Sequence, residues 1–130
     1  MSSGSPFSYA VYRVVPLVER GERINVGVVV FSRPLQYLAA RTGFDERRLA
    51  ALWPDLDPET IRPHLDAIER IARGDADAGP IAALDTTARF HWLVAPSSTI
   101  IQPSAVHTGL CGEPAAELDK LFDALVASPA

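Results

Sequence analysis

Lysine is almost missing from this chain, cysteine occurs once, and no apolar run is long enough to cross a bilayer. Each absence removes a class of protein. With Cys111 alone there is no intrachain disulfide, so the stapled framework of small secreted domains is excluded. No stretch approaches the roughly 20 apolar residues of a membrane span. The start, MSSGSPFS, has neither the basic nor the apolar region of a secretory leader. Residues 1–8 are therefore expected to form a flexible arm, and the protein is expected to be cytoplasmic, with no membrane partner. A net charge of -4 gives no global attraction to polyanions, which makes nucleic acid an unlikely ligand. Of the 12 basic residues only Lys120 is lysine; the rest are arginines, which suit planar, bidentate contacts.

Signature motifs are missing too. No Gly-rich loop leads into Lys and Ser or Thr, no Cys-x-x-Cys or His-x-x-x-His pair offers zinc ligands, and no Gly-x-Ser-x-Gly elbow presents a nucleophile. The loop GDADAGP has the first acidic positions of a calcium loop without the later ligands or the closing Glu. No cofactor or metal is implied, and the reading leans away from an enzyme.

What is present is organised around Tyr9 to Phe31, YAVYRVVPLVERGERINVGVVVF. β-Branched and aromatic residues crowd two arms around Glu19, Arg20, Gly21 and Glu22, which predicts a hairpin. A tight Arg20-Gly21 turn would bury Arg13 among Val26, Val28 and Val30. One extra turn residue, with Gly21 left-handed, instead puts Ala10, Tyr12 and Val14 beside those valines. Arg13 then shares the opposite face with Asn25, Gly27 and Val29, and Gly27 leaves room for an approach to the backbone.

At 130 residues the chain is expected to be one domain, residues 9–127, with a core of its own. A third strand is predicted over Leu35 to Arg41. Asp45 should cap a short helix that Pro54 stops. Asp57 and Pro58 should open a longer one whose stripe is Ile61, Leu65, Ile68 and Ala72, ending at Gly74. Alternation in ARFHWLVA, Ala88 to Ala95, predicts another strand, and Ser98 to Gln102 a short one. VHTGLCGE reads as a loop before a last helix from Pro114, striped by Leu118, Leu121, Phe122, Leu125 and Val126. The fold class is α+β: an antiparallel sheet of about four to five strands with two main helices packed on it.

The blocks YAVYRVVP, INVGVVVF and RFHWLVAPSSTIIQPSAVHTGLC, followed by an amphipathic helix, resemble the bacterial domain of unknown function 3037 family from Tyr9 to about Val126. That resemblance implies an uncharacterised protein often encoded beside a kinase-like protein resembling the persistence kinase HipA, and hence a protein-partner role. It supplies no role for any matched residue.

If the hairpin and the Arg89 strand share a sheet, Arg13, Asn25, Arg89 and His91 project from one face, with Ser97, Ser98, Thr99, Gln102 and His107 at its rim. Such a donor-rich cluster would bind a phosphate, a carboxylate or an acidic partner side chain. The first expectation is an interaction module binding a protein partner through this polar face. The alternative is a binder of, or enzyme on, a phosphate-bearing small molecule, with the arginines as clamp and His91 or His107 as acid or base. Against both stands plain solvated pairing of Arg13 and Arg89 with Glu19, Glu22 or Asp85. His107 with Cys111 invites a base and nucleophile reading, opposed by a small buried thiol. Trp53, Trp92, Tyr12 and Phe122 read as core or element caps.

Overall fold

The computed structural model describes residues 4–97 and 99–127. Strand β1, Ser5–Val14, pairs antiparallel with β2, Ile24–Ser32, which pairs with β3, Tyr37–Thr42. The free edge of β1 is shared: β4, Ile101–Pro103, covers Tyr12–Val14, and β5, His107–Cys111, covers Ser5–Tyr9. Ser104 spans the gap between them. Its amide donates to Val11 O at 2.7 Å, and its hydroxyl accepts from Val11 N at 2.9 Å, so Val11 keeps both ladder bonds where neither strand reaches it. Of the residues 1–8 expected as an arm, Ser5 to Ser8 belong to β1, which is already paired at Ser5 opposite Cys111, and residues 1–3 lie outside the described residues.

Helices cover both faces of this open antiparallel sheet, and the fold is α+β. On one face Ala10, Tyr12, Val14, Val29 and Phe31 meet α1 (Glu46–Leu52), α2 (Arg62–Arg73) and α3 (Thr86–Leu93) through Leu49, Leu65, Ile68, Phe90 and Leu93. On the other, Phe7, Val28 and Val30 meet α4, Pro114–Leu125, through Leu118 and Phe122. Burying residues of this size contributes roughly 1.5–3 kcal/mol each, so the two layers carry most of the stability.

Local chemistry explains where the elements begin and end. Asp45 accepts from Arg47 N at 2.9 Å to start α1, and Asp57 accepts from Glu59 N at 3.0 Å to start a 3₁₀ turn, Pro58–Thr60. α2 begins only at Arg62, so Pro63 falls in its first turn, where no intrahelical bond is lost. Gly74 closes α2 in the left-handed conformation at φ 74°.

Three expectations are corrected. The segment Ala88 to Ala95 is not a strand: Ala88 to Leu93 belong to α3, Asp85 accepts from Ala88 N at 2.8 Å, and Phe90 and Leu93, three apart, are both buried. Phe90 stacks on Phe31 at 4.7 Å, and this packing overrides the strand-like alternation. The segment HTGLC is β5 and not a loop; Phe7 lies against Gly109, where a Cβ would come within 2.8 Å of the Phe7 ring.

The hairpin register changes as well. The loop runs over residues 15–23 with Gly21 left-handed at φ 70°. Arg13 does lie opposite Asn25, but Tyr12 lies opposite Gly27, which leaves Val26 as the extra residue of a β-bulge. Beyond the bulge, Ala10 and Tyr12 therefore share a face with Gly27 and Val29, whereas Val28 and Val30 face α4. The room at Gly27 is filled from within, since a Cβ there would meet Thr42 Cγ2 at 3.0 Å and Tyr12 Cδ2 at 3.5 Å.

Candidate anion-binding site

Helices cover both faces of the sheet, and a group of its polar side chains emerges at the end beyond them. There the pairings Asn25 to Arg13 and Arg13 to Gln102 set three of the expected residues in one row across β2, β1 and β4. Paired residues of antiparallel strands share a face, so the row points to the side on which α4 packs. α4 stops beside it: Asn25 Nδ2 donates to Leu125 O at 3.0 Å, satisfying one of the helix's terminal carbonyls.

The polar recess at this end is lined by Arg13, Arg23, Ile24, Asn25, Arg48 and Leu125 and encloses about 350 Å³. Three arginines thus line one recess with no carboxylate in the lining. None of the three forms an ion pair among the described residues. The nearest acidic neighbour in sequence, Glu22, is committed to Arg20 through two contacts of 2.9 Å. Arg13 is half-buried, and its guanidinium is held below its ordinary range by that burial first and by the charge of Arg23 second. Both causes penalise the cation, and a bound anion would offset both. The negative end of the α4 dipole, at Leu125, supplies only a partial charge.

The other expected residues lie elsewhere. Arg89 belongs to α3 and points inward: Nη1 donates to Leu84 O at 2.8 Å and Nη2 to Ala72 O at 3.4 Å, joining α3 to the last turn of α2. It is a structural bracket and not half of an anion clamp with Arg13. His91 is exposed on α3, 6.2 Å from the Phe90 ring. His107 is exposed on β5, with its ring 5.2 Å from Tyr9. Thr99 donates to Ile101 O at 2.8 Å, and Gln102, though paired with Arg13, donates its Nε2 to Thr99 O at 3.0 Å and is not in the recess lining, so these side chains close their own turn. Ser98 lies outside the described residues. Cys111 is buried; burial first, then the charges of Glu117 and Glu113, push its thiol up and away from nucleophilic use.

Two residues of the recess escaped the sequence reading. Arg23 could have been found, since it precedes Asn25 by two positions and so falls on the same side of an extended chain. Arg48 could not, because only the packing of α1 through Leu49 brings it to the sheet.

Apart from Ser5–Ser8 of β1, the sheet and its helices fall within residues 9–126, which match the model of a family described as a protein of unknown function (DUF3037). The chain belongs to this family. No curated protein and no solved structure matches it. Membership in DUF3037 confirms the family resemblance over nearly the whole chain. Among the described residues no helix is long and apolar enough to cross a membrane, and no group of three or more His, Cys, Asp or Glu is placed to hold a metal ion.

Proposed function

We propose that this DUF3037 protein is a non-enzymatic accessory module of the bacterial cytoplasm that engages a protein partner through a phosphate- or carboxylate-bearing segment held by Arg13, Arg23 and Arg48. The observation that carries the reading is that three arginines without an ion pair among the described residues line one recess that has no carboxylate. Arginine forks suit such anions bidentately, and Asn25 beside them adds an amide. The kinase-like partner comes from the family resemblance alone, and a HipA-like kinase is the first protein to test.

The same chemistry would hold a phosphate-bearing small molecule, which is the second reading, and turnover of such a molecule would need an acid or base. The recess lining contains no imidazole or thiol, and His91 and His107 sit on other elements, which favours recognition over reaction. Isothermal titration with a phosphoserine peptide, a glutamate-rich peptide and inorganic phosphate separates the sources. Removal of one charged contact should cost at least about 1.5 kcal/mol, roughly tenfold in Kd. Peptide binding that falls tenfold in Arg23→Ala and disappears in the double charge reversal Arg23→Glu, Arg48→Glu supports the proposal. Inorganic phosphate binding as tightly as the peptides would favour the small-molecule reading. Binding unchanged in the double variant would refute the site.

A further inference from the structure

A second recess, on the opposite side of the sheet from the arginines, has a different character. It encloses about 360 Å³ between α2, α3 and β4 and is walled by Ile68, Leu93, Ile101, Pro96 and Pro103, with Trp92 and His64 at its margin. That volume and that mostly apolar wall with few polar groups match the sites in which small molecules are held. The sequence reading placed Trp92 in the core or as a cap. Instead it is 49% exposed, although Phe90 and Leu93 beside it on α3 are buried. A large aromatic side chain left in solvent at the mouth of an apolar recess loses contact that an incoming flat ring would restore.

The lining also constrains charge. It contains no Asp, Glu, Lys or Arg. A charged group entering this recess would lose water without gaining a counterion. The floor is already satisfied, since the Tyr12 hydroxyl donates to Leu93 O at 2.7 Å. His64, exposed on α2, forms no hydrogen bond or ion pair among the described residues, so its imidazole is available to a polar edge of the ligand. We propose that this recess binds a small, uncharged aromatic compound, with its ring against Trp92 and one hydrogen-bonding edge toward His64. The proposal is independent of the arginine site.

Two-dimensional proton–nitrogen spectra of the full chain test it directly, because Trp92 and Trp53 give separate indole signals that a Trp92→Phe variant assigns. The probes are benzamide, phenol and indole, with benzoate and cyclohexanol as charged and non-aromatic controls. Expected is a saturable shift of the Trp92 signal by at least one uncharged aromatic, at a Kd below about 1 mM, which is roughly 4 kcal/mol of binding. Benzoate should bind at least tenfold more weakly than benzamide. Ala95→Phe, a change at an exposed lining position, should block the recess and abolish the shift while leaving the rest of the spectrum in place. Three results would each overturn the proposal: no saturable shift by any aromatic, equal binding of benzoate or cyclohexanol, or a Trp92 signal that moves with protein concentration because a second copy occupies the recess.

Discussion

Arg89 offers the sharpest separation between a residue that binds and a residue that builds. In Arg89→Met the aliphatic stem is largely preserved while both donations, to Leu84 O at 2.8 Å and to Ala72 O at 3.4 Å, disappear. A hydrogen bond from a charged donor contributes about 1.5–3 kcal/mol when short. The longer bond contributes less, and part of the guanidinium reaches solvent, so the loss should be about 2 kcal/mol. Arg89 Nε already lacks a partner while buried, and the substitution removes that penalty, which keeps the figure from being larger. For a domain of this length about 2 kcal/mol lowers Tm by roughly 6–10 °C. Urea unfolding followed by far-ultraviolet circular dichroism would read it as a lower midpoint at unchanged slope. Anion binding at Arg13 should be untouched in the same variant. A variant as stable as the parent, or one that loses anion binding while remaining folded, would refute the bracket.

Other outcomes follow from the same packing. Burial holds the Tyr12 hydroxyl above its ordinary range, so the folded state keeps a proton that the unfolded chain releases near pH 10; stability is full below that pH and falls above it by up to about 1.4 kcal/mol per unit. Tyr12→Phe should flatten that alkaline decline in urea titrations even though it loses the bond to Leu93. Cys111 should react with a thiol reagent at pH 8 at least about tenfold more slowly in the folded protein than in urea, because its thiol is buried and pushed up; equal rates would contradict the burial. Gly109→Ala places a Cβ within 2.8 Å of Phe7, which should cost about 1–3 kcal/mol by overpacking, with Phe7→Leu partly restoring stability in the double variant.

What could be read from sequence was whatever local chemistry decides. The caps at Asp45 and Asp57, the left-handed glycines Gly21 and Gly74, and the stripes of α2 and α4 are written in spacings of one to four residues. The α+β class followed from them. The bulge at Val26 was hidden because INVGVVV is apolar on both sides of it, so no change of period marks the extra residue. α3 was hidden because Phe90, Trp92 and Val94 alternate while Phe90 and Leu93 also fit a helical turn, and only the contact with Phe31 decides between them. That one element moved Arg89 and His91 away from the hairpin. Arg13 and Asn25 stayed together because their pairing lies on the hairpin side of the bulge.

The location of both recesses follows from the burial of the sheet. Along most of β1 and β2, helices press on both faces, and a charged or unfilled position there would cost more than the fold could offset. The two recesses lie beyond this cover, one where α4 stops at Leu125 and the other between α2, α3 and β4. Adjacent residues then serve opposite sides, because strand side chains alternate: Arg13 lines the arginine recess and Tyr12 the aromatic one. β4 repeats the division, with Gln102 in the arginine row and Ile101 and Pro103 in the apolar wall. β1 is thereby the element common to both recesses, and its pairing with β2 and β4 holds each recess in place without the other having to be filled.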